Sequence, residues 1–180
     1  KTHKGVIRHI VTRVGYRTQE LMVIIVTKDD LPHKNKLVEI IREAIPNITS
    51  IVHNRQRNRT NVILGNENTL LWGKDHIIDE LGGLRFKISP LSFYQVNPTQ
   101  TKILYKKALE YADLTGSETV IDAYCGIGTI SLFLAQNAGK VYGIELVDQA
   151  IEDAKENAKM NGIENANFIK GHSEILIPQM

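Results

Sequence analysis

An α/β fold is what the sequence predicts: the first half of a doubly wound parallel sheet, preceded by an α+β unit whose sheet is mostly antiparallel. Three observations carry that prediction. After Pro90, short apolar strands alternate with helical periodicities; a Gly-x-Gly turn joins the first of those strands to a helix; and before Pro90, strand patterns surround one amphipathic helix. With 180 residues, 42% hydrophobic and 23% charged, the chain has material for one large domain or two small ones. Residues 1–90 read as an α+β central domain and 91–180 as a partial doubly wound domain.

The elements follow in order. Val6 to Val14 and Leu21 to Thr27 are Val- and Ile-rich runs separated by Gly15 to Gln19, which reads as two strands and a turn. From Lys34 the period changes: Leu37, Ile40, Ile41, Ala44 and Ile45 fall on one helical face, and Pro46 stops the helix. Strand signals return at Ile48 to Val52, Asn61 to Leu64 and Leu70 to Trp72, and Gly82-Gly83 between Asp75–Leu81 and Leu84–Ile88 marks a hairpin. Leu104, Ala108, Tyr111 and Ala112 predict a helix over residues 99–112. Then come a strand at 118–123, a glycine loop, a helix near 128–137, a strand at 140–144, a helix carrying Val147, Ile151, Ala154 and Ala158, and a strand at 166–169.

Composition narrows the function classes. No run approaches the ~20 apolar residues of a membrane helix, so no membrane association is expected. The chain opens with Lys1 and shows no basic-then-apolar leader, so it is expected to be a piece of a longer protein. One cysteine, Cys125, cannot form an internal disulfide, and a reducing cytoplasm is the expected location. The net charge of +2 is unevenly spread: residues 1–60 hold 12 Lys/Arg against 5 Asp/Glu, whereas residues 61–180 hold 10 against 15. A basic first third suits a polyanionic partner, because phosphate contacts dominate affinity for nucleic acid.

The most informative stretch is Val120-Ile121-Asp122-Ala123-Tyr124-Cys125-Gly126-Ile127-Gly128-Thr129. A strand running into Gly-x-Gly and then a helix lets backbone approach a ligand while the helix start offers free N–H groups. Glu145 closes the second strand, where a carboxylate can accept from both hydroxyls of a ribose. A dinucleotide fingerprint wants a third small Gly or Ala, but Ser131 stands there. S-adenosylmethionine, which lacks phosphate, is therefore favoured over a nicotinamide cofactor, and Asp122 can approach its cationic amino-acid end.

Ser89-Pro90-Leu91-Ser92-Phe93-Tyr94-Gln95-Val96-Asn97, then Asp122 to Thr129, then Val141-Tyr142-Gly143-Ile144-Glu145, resemble in letters, order and spacing the RNA uracil-C5 methyltransferases that make 5-methyluridine. The resemblance is specific over residues 89–171 and loose over 1–88, which look like that family's central domain. It implies a Rossmann-like S-adenosylmethionine-dependent methyltransferase fold. The bacterial 23S ribosomal RNA branch is more similar than the transfer RNA branch on general likeness. The resemblance implies that Gln95, Tyr124 and Glu145 line the S-adenosylmethionine site, that Gly126, Gly128 and Thr129 shape its floor, and that Phe93 meets an extruded target uridine. A hydrophobic plug is the bland alternative for Phe93 and Tyr94.

In that family a cysteine thiolate adds to C6, the resulting enolate attacks the methyl group, and a base removes the C5 proton before the thiolate leaves C6. The resemblance puts that cysteine and base downstream of the third strand, and an RNA-binding barrel and in many members an iron–sulfur cluster upstream. No catalytic residue is thus expected in this chain, which by itself should be inactive. Cys125 matches a loop cysteine, read as a small buried residue.

Other features are weaker. Arg55, Arg57 and Arg59 stand at alternate positions and, if extended, share a face that can grip RNA phosphates; a mobile hairpin tip is the alternative. The six histidines show no metal-ligand spacing, and His172 reads as a surface-loop residue. Two rivals remain: a nicotinamide oxidoreductase, and a noncatalytic RNA-binding module. An exposed third strand also predicts self-association through a sheet edge.

Overall fold

The computed structural model describes residues 5–58 and 60–180, which divide into two compact units. The first comprises residues up to Ile78 with Ser89–Leu91, the second Asp79–Ile88 with Ser92–Met180. This partition differs from a boundary at residue 90 in one element, the Gly82-Gly83 hairpin, whose residues 79–88 cluster with the second unit.

The first unit is a four-stranded sheet in the order β1-β2-β3-β4, formed by β1 (Ile7–Val14), β2 (Leu21–Thr27), β3 (Ile48–Arg55) and β4 (Glu67–Gly73). The outer pairs are antiparallel, as expected, but β2 and β3 run parallel. The helix α1 (Lys34–Ala44) crosses between them, and a strand–helix–strand crossover delivers its second strand parallel to the first. β2 is buried on both faces almost throughout, which explains its unbroken apolar run. Leu37, Val38 and Ile41 of α1 pack on Val23, Ile25, Ile48 and Ile51.

Residues 61–64, expected as a strand, are irregular. Side-chain amides replace the ladder there. Asn54 accepts from Gly65 N at 2.7 Å and donates to Gly65 O at 2.7 Å, while Gln56 Nε2 donates to the carbonyls of Val62 and Leu64 at 3.2 Å each. A loop satisfied this way has no need of a strand partner.

The second unit holds a three-stranded parallel sheet in the order β7-β8-β9, from β7 (Thr119–Asp122), β8 (Lys140–Glu145) and β9 (Ala166–Lys170). Before it come the hairpin strands β5 (Ile77–Leu81) and β6 (Leu84–Ile88), and α2 (Pro98–Ala112). Gly82 and Gly83 both have positive φ, 63° and 87°, as the tight hairpin requires. The sheet's crossovers are α3 (Thr129–Ala135) and α4 (Asp148–Met160), followed by the single-turn α5 (Ser173–Leu176) and a 3₁₀ turn at Ile177–Gln179. Leu84 and Phe86 of the hairpin join Tyr105, Leu132, Phe133, Ile151, Ala154 and Phe168 in one core.

Two asparagines and an aspartate of α4 and its end tie this core together, and Asn165, just before β9, holds the chain after α3. Asn157 Oδ1 accepts from Lys87 N at 2.7 Å while its Nδ2 donates to Ile127 O at 3.0 Å. Asn161 exchanges two bonds with the backbone of Arg85, at 2.8 and 2.7 Å. Asn165 Nδ2 donates to Ala135 O and Ala138 O, at 2.8 and 2.9 Å. The aspartate, Asp153, is considered below.

Candidate functional site

The carboxyl ends of β7, β8 and β9 bring Asp122, Tyr124, Gly126, Gly128, Thr129 and Glu145 into one loop cluster, where open parallel sheets place ligands. Its centre is the turn 123–128. Cys125 N donates to Ile144 O at 3.0 Å, so the turn is stitched to β8 before the glycines begin.

Glu145 is held by backbone amides. Its Oε2 accepts from Gly126 N at 3.1 Å, and its Oε1 from Leu146 N at 2.7 Å and Val147 N at 3.0 Å, at the start of α4. Of the roughly four acceptor positions of a carboxylate, about three are filled, and the open one is on Oε2. As it stands, the group can take one hydroxyl without giving up an amide; clasping two requires Oε1 to release one.

The two glycines differ in kind. Gly126 has φ 53°, and a Cβ built there meets nothing within 4 Å, so the surface over it is open to a ligand. Gly128 has φ 81°, but its Cβ would stand 2.9 Å from Phe168 Cζ and 3.3 Å from Ala154 Cβ. Its identity is demanded by packing below the turn, as is that of Gly143 on β8, whose Cβ would meet Phe168 at 2.6 Å.

Asp122 accepts from Ser131 Oγ at 2.5 Å and from Tyr124 N at 3.4 Å. Burial lifts its carboxyl above the ordinary carboxylate range; the two donors pull it back, and the charge of Glu145 adds to the lift. Ser131, the residue that argues against a dinucleotide, is fully buried and serves to hold Asp122. Thr129 turns its hydroxyl to Tyr105 of α2 at 2.8 Å. Burial, followed by the charges of Asp122 and Glu145, pushes the Cys125 thiol up to about 12, so it is no nucleophile at neutral pH.

Tyr124 is 73% exposed, and its hydroxyl donates to Glu174 Oε1 at 2.8 Å. The Ser173 hydroxyl donates to Ala123 O, so the loop after β9 is clipped to the loop after β7 at two points. His172, exposed, precedes α5. Among the described residues, no hydrogen bond joins Phe93 or Gln95 to the glycine turn; both lie on the segment between β6 and α2, Phe93 73% exposed and Gln95 half-buried.

Asp153, Asn157, Ser173 and Glu174 escape a motif search. Asp153, Asn157 and Asn161 repeat every four residues beside Ala154 and Ala158, and that spacing is the signal for Asp153 and Asn157; Ser173 and Glu174, on α5, carry no such signal.

The arginine surface takes another form. β3 ends at Arg55, which lies opposite Glu67 in the ladder and pairs with it at 2.8 Å and also with Asp30. Both partners hold its guanidinium, the Glu67 hydrogen bond foremost in raising its pKa. Arg57 lies 3.5 Å from the same Glu67 and is more exposed. Arg59 lies outside the described residues. Alternation along an extended strand thus stops at Arg55, and Arg55 is engaged by carboxylates.

Among the described residues, no helix is long and apolar enough to cross a membrane, and no group of three or more His, Cys, Asp or Glu can hold a metal ion.

Residues 114–180 match the family described as Methyltransferase domain. The chain is 55% identical over 181 residues to a protein of Clostridium tetani named "Uncharacterized RNA methyltransferase", covering 100% of this chain and 39% of that protein. A protein of the same description from Halalkalibacterium halodurans is 56% identical over 177 residues, covering 98% and 39%. The chain therefore spans about two fifths of the length of these relatives. Among solved structures, Pyrococcus abyssi tRNA (uracil-54, C5)-methyltransferase in complex with S-adenosyl-L-homocysteine superposes with a TM-score of 0.76 at 31% identity, covering 93% of this chain and 40% of that one. The chain is α/β, and its second unit carries the parallel sheet, glycine turn and strand-end carboxylate of a Rossmann-like methyltransferase fold.

Proposed function

We propose that the second unit binds S-adenosylmethionine over the turn 123–128, and that the chain belongs to an enzyme that methylates C5 of uridine in RNA. The single observation that carries the cofactor reading is the pair of carboxyls flanking an open glycine. Asp122 and Glu145 are met by backbone amides and a hydroxyl, with no cation among the described residues neutralising either. A sulfonium and an ammonium group are attracted to such a rim, and a pyrophosphate is repelled. When bound, S-adenosylmethionine would supply the methyl group. Glu145 would orient a ribose hydroxyl through Oε2, Asp122 would face the cationic end, and Tyr124 would wall the site.

The uridine reading draws its support from the sequence block Ser89 to Asn97 and from the Pyrococcus abyssi neighbour. In this reading Phe93 and Gln95 serve the target base and the cofactor, and the nucleophile comes from outside these 180 residues, since the Cys125 thiol is buried. Ribosomal RNA of the 23S class is the proposed substrate. Transfer RNA is a second reading, favoured by the tRNA substrate for which that neighbour is named; methylation assays on the two RNAs separate them. RNA as partner, cytoplasmic location and self-association through an edge of the β7-β8-β9 sheet are part of the same proposal.

Calorimetric titration of S-adenosylmethionine, of its demethylated product and of NADH tests the cofactor. Saturable binding of the first two, lost in Glu145→Ala, is expected. Binding of NADH instead, or of none of the three, overturns the reading.

A further inference from the structure

Ser92, Phe93 and Tyr94 lie in irregular chain between β6 and α2, and their burial alternates from buried to exposed to half-buried. Ser92 points inward and is 5% exposed. The Tyr94 ring lies half-buried with its centroid 6.3 Å from that of Phe86. Phe93 stands between them, 73% exposed. Just downstream, Asn97 accepts from Gln100 N at 3.1 Å and Pro98 begins α2, so the segment is fixed at that end too.

Each inward neighbour ends on a buried carboxyl. Ser92 Oγ donates to Asp153 Oδ2 at 3.0 Å, and the Tyr94 hydroxyl donates to Asp79 Oδ2 at 3.3 Å. Asp153 is fully buried and Asp79 is 1% exposed. Asp153 also receives Gln149 Nε2 at 3.1 Å and lies 3.6 Å from Lys87 Nζ. Stability by itself does not require carboxyls at these two positions. A buried carboxyl must be desolvated, and well-packed apolar residues of similar volume commonly do as well or better. Here two such carboxyls converge on the residues either side of one exposed aromatic ring.

The consequence is mechanical. A side chain whose backbone is pinned on both sides needs little further ordering when a ligand arrives, and ordering is a main cost of binding. A flat, rigid, solvent-facing ring suits another flat ring, and base–aromatic stacking is worth about 1–3 kcal/mol per base. Building on the proposed role of Phe93, we infer that Asp79 and Asp153 are positioning residues that hold the Phe93 ring as a preformed platform for an unstacked RNA base.

The test uses the 180-residue chain and a uridine-rich single-stranded RNA carrying one 2-aminopurine, whose fluorescence falls on stacking, with an end label for affinity. The variants are Phe93→Ala and the pair Ser92→Ala with Tyr94→Phe, which keeps both carboxyls and both rings. Each should reduce the quench at saturation about threefold or more while leaving the salt dependence of affinity unchanged, since no phosphate contact is touched. Ser92→Thr, which keeps the hydroxyl, should restore the quench. Quenching by the parent that survives Phe93→Ala overturns the platform reading and this inference with it, as does a parent that gives no quench. Quenching lost in Phe93→Ala but intact in the double variant leaves Phe93 standing and overturns the role of the two carboxyls. If the double variant melts below the assay temperature, the two substitutions are read singly, and an unchanged quench in both has the same meaning.

Discussion

The loop after β3 and the turn after β7 both leave the carboxyl end of a strand, yet their charges and fastenings are opposite. The loop of residues 56–66 carries Arg57 and Arg59 after Arg55 closes β3, but Arg55 is engaged by Glu67 and Asp30, and Arg57 lies beside the same Glu67. The turn of residues 123–128 carries no cation, and its two flanking carboxyls are held by amides and a serine hydroxyl. Arg55 is taken up by carboxylates of its own unit, whereas among the described residues no cation pairs with the two carboxyls beside the turn. A backbone amide positions a carboxylate without neutralising it, whereas a guanidinium does both. Net charge along a sequence is therefore a poor guide to which loop meets a charged partner.

The largest expected contrast lies in a glycine from each loop. A Cβ at Gly65 would stand 2.0 Å from Arg55 O, so Gly65→Ala forces backbone apart and should cost the first unit at least about 3 kcal/mol. At Gly126 the added methyl enters open space and only the positive φ opposes it, about 1–2 kcal/mol. Chemical denaturation of both variants measures the difference. Similar losses would mean that the turn after β7 is packed as tightly as the loop after β3.

Asp122→Asn sharpens the comparison by separating stability from binding. Because the folded carboxyl is lifted above its unfolded value, it favours folding at pH below that unfolded value, and the benefit is lost as pH rises through the folded one. At neutral pH it opposes folding, so the asparagine variant should melt higher than the parent while binding S-adenosylmethionine several-fold more weakly. In the parent, that affinity should fall as pH drops through the lifted value and the carboxylate charge disappears. Scanning calorimetry and titration from the ordinary carboxylate value of 3.8 up to neutral pH read both signs; a variant that melts lower and binds normally would make Asp122 a structural residue only.

A smaller effect is expected from the arginines. Arg57→Ala should weaken RNA binding evenly across sequences and reduce the salt slope by about 1. Arg55→Ala should lower the melting temperature of the first unit and leave the salt slope nearly unchanged, because its charge is already matched. Equal slopes for the two variants would return Arg55 to the RNA surface. The smallest effect belongs to Glu118, whose carboxylate is pulled down to about 2, first by the Thr115 hydroxyl and then by its own amide and those of Thr115 and Gly116. A depressed carboxyl stabilises above its unfolded value of 4.5 and loses that benefit as pH falls towards 2. Glu118→Gln should thus differ from the parent at pH 6 and converge with it near pH 2, followed by thermal melts.

Legibility varied with the range of the interaction. The helix at residues 34–44 was readable because its apolar face repeats locally, and the turn 123–128 because strand, Gly-x-Gly and helix are contiguous. Residues 61–64 misread as a strand because their apolar run is real, while the groups that hold the loop, Asn54 and Gln56, lie outside it. A mostly antiparallel sheet was legible, but which pair departs from it was not, because nothing in β2 or β3 records its direction. Only the crossover through α1 decides that.

By itself the sequence determined the α/β alternation, the turn with its positive-φ glycines and the acid at the end of β8, all properties of chain segments acting on their neighbours. Tertiary structure alone decided which charges stayed available. Arg55 meets Glu67 from 12 residues away, Asp153 meets Ser92 from 61, and Asn157 joins Lys87 to Ile127 across 70 and 30. Such pairs form because a buried polar group must find a partner wherever the fold brings one, and that partner is chosen by packing rather than by sequence distance.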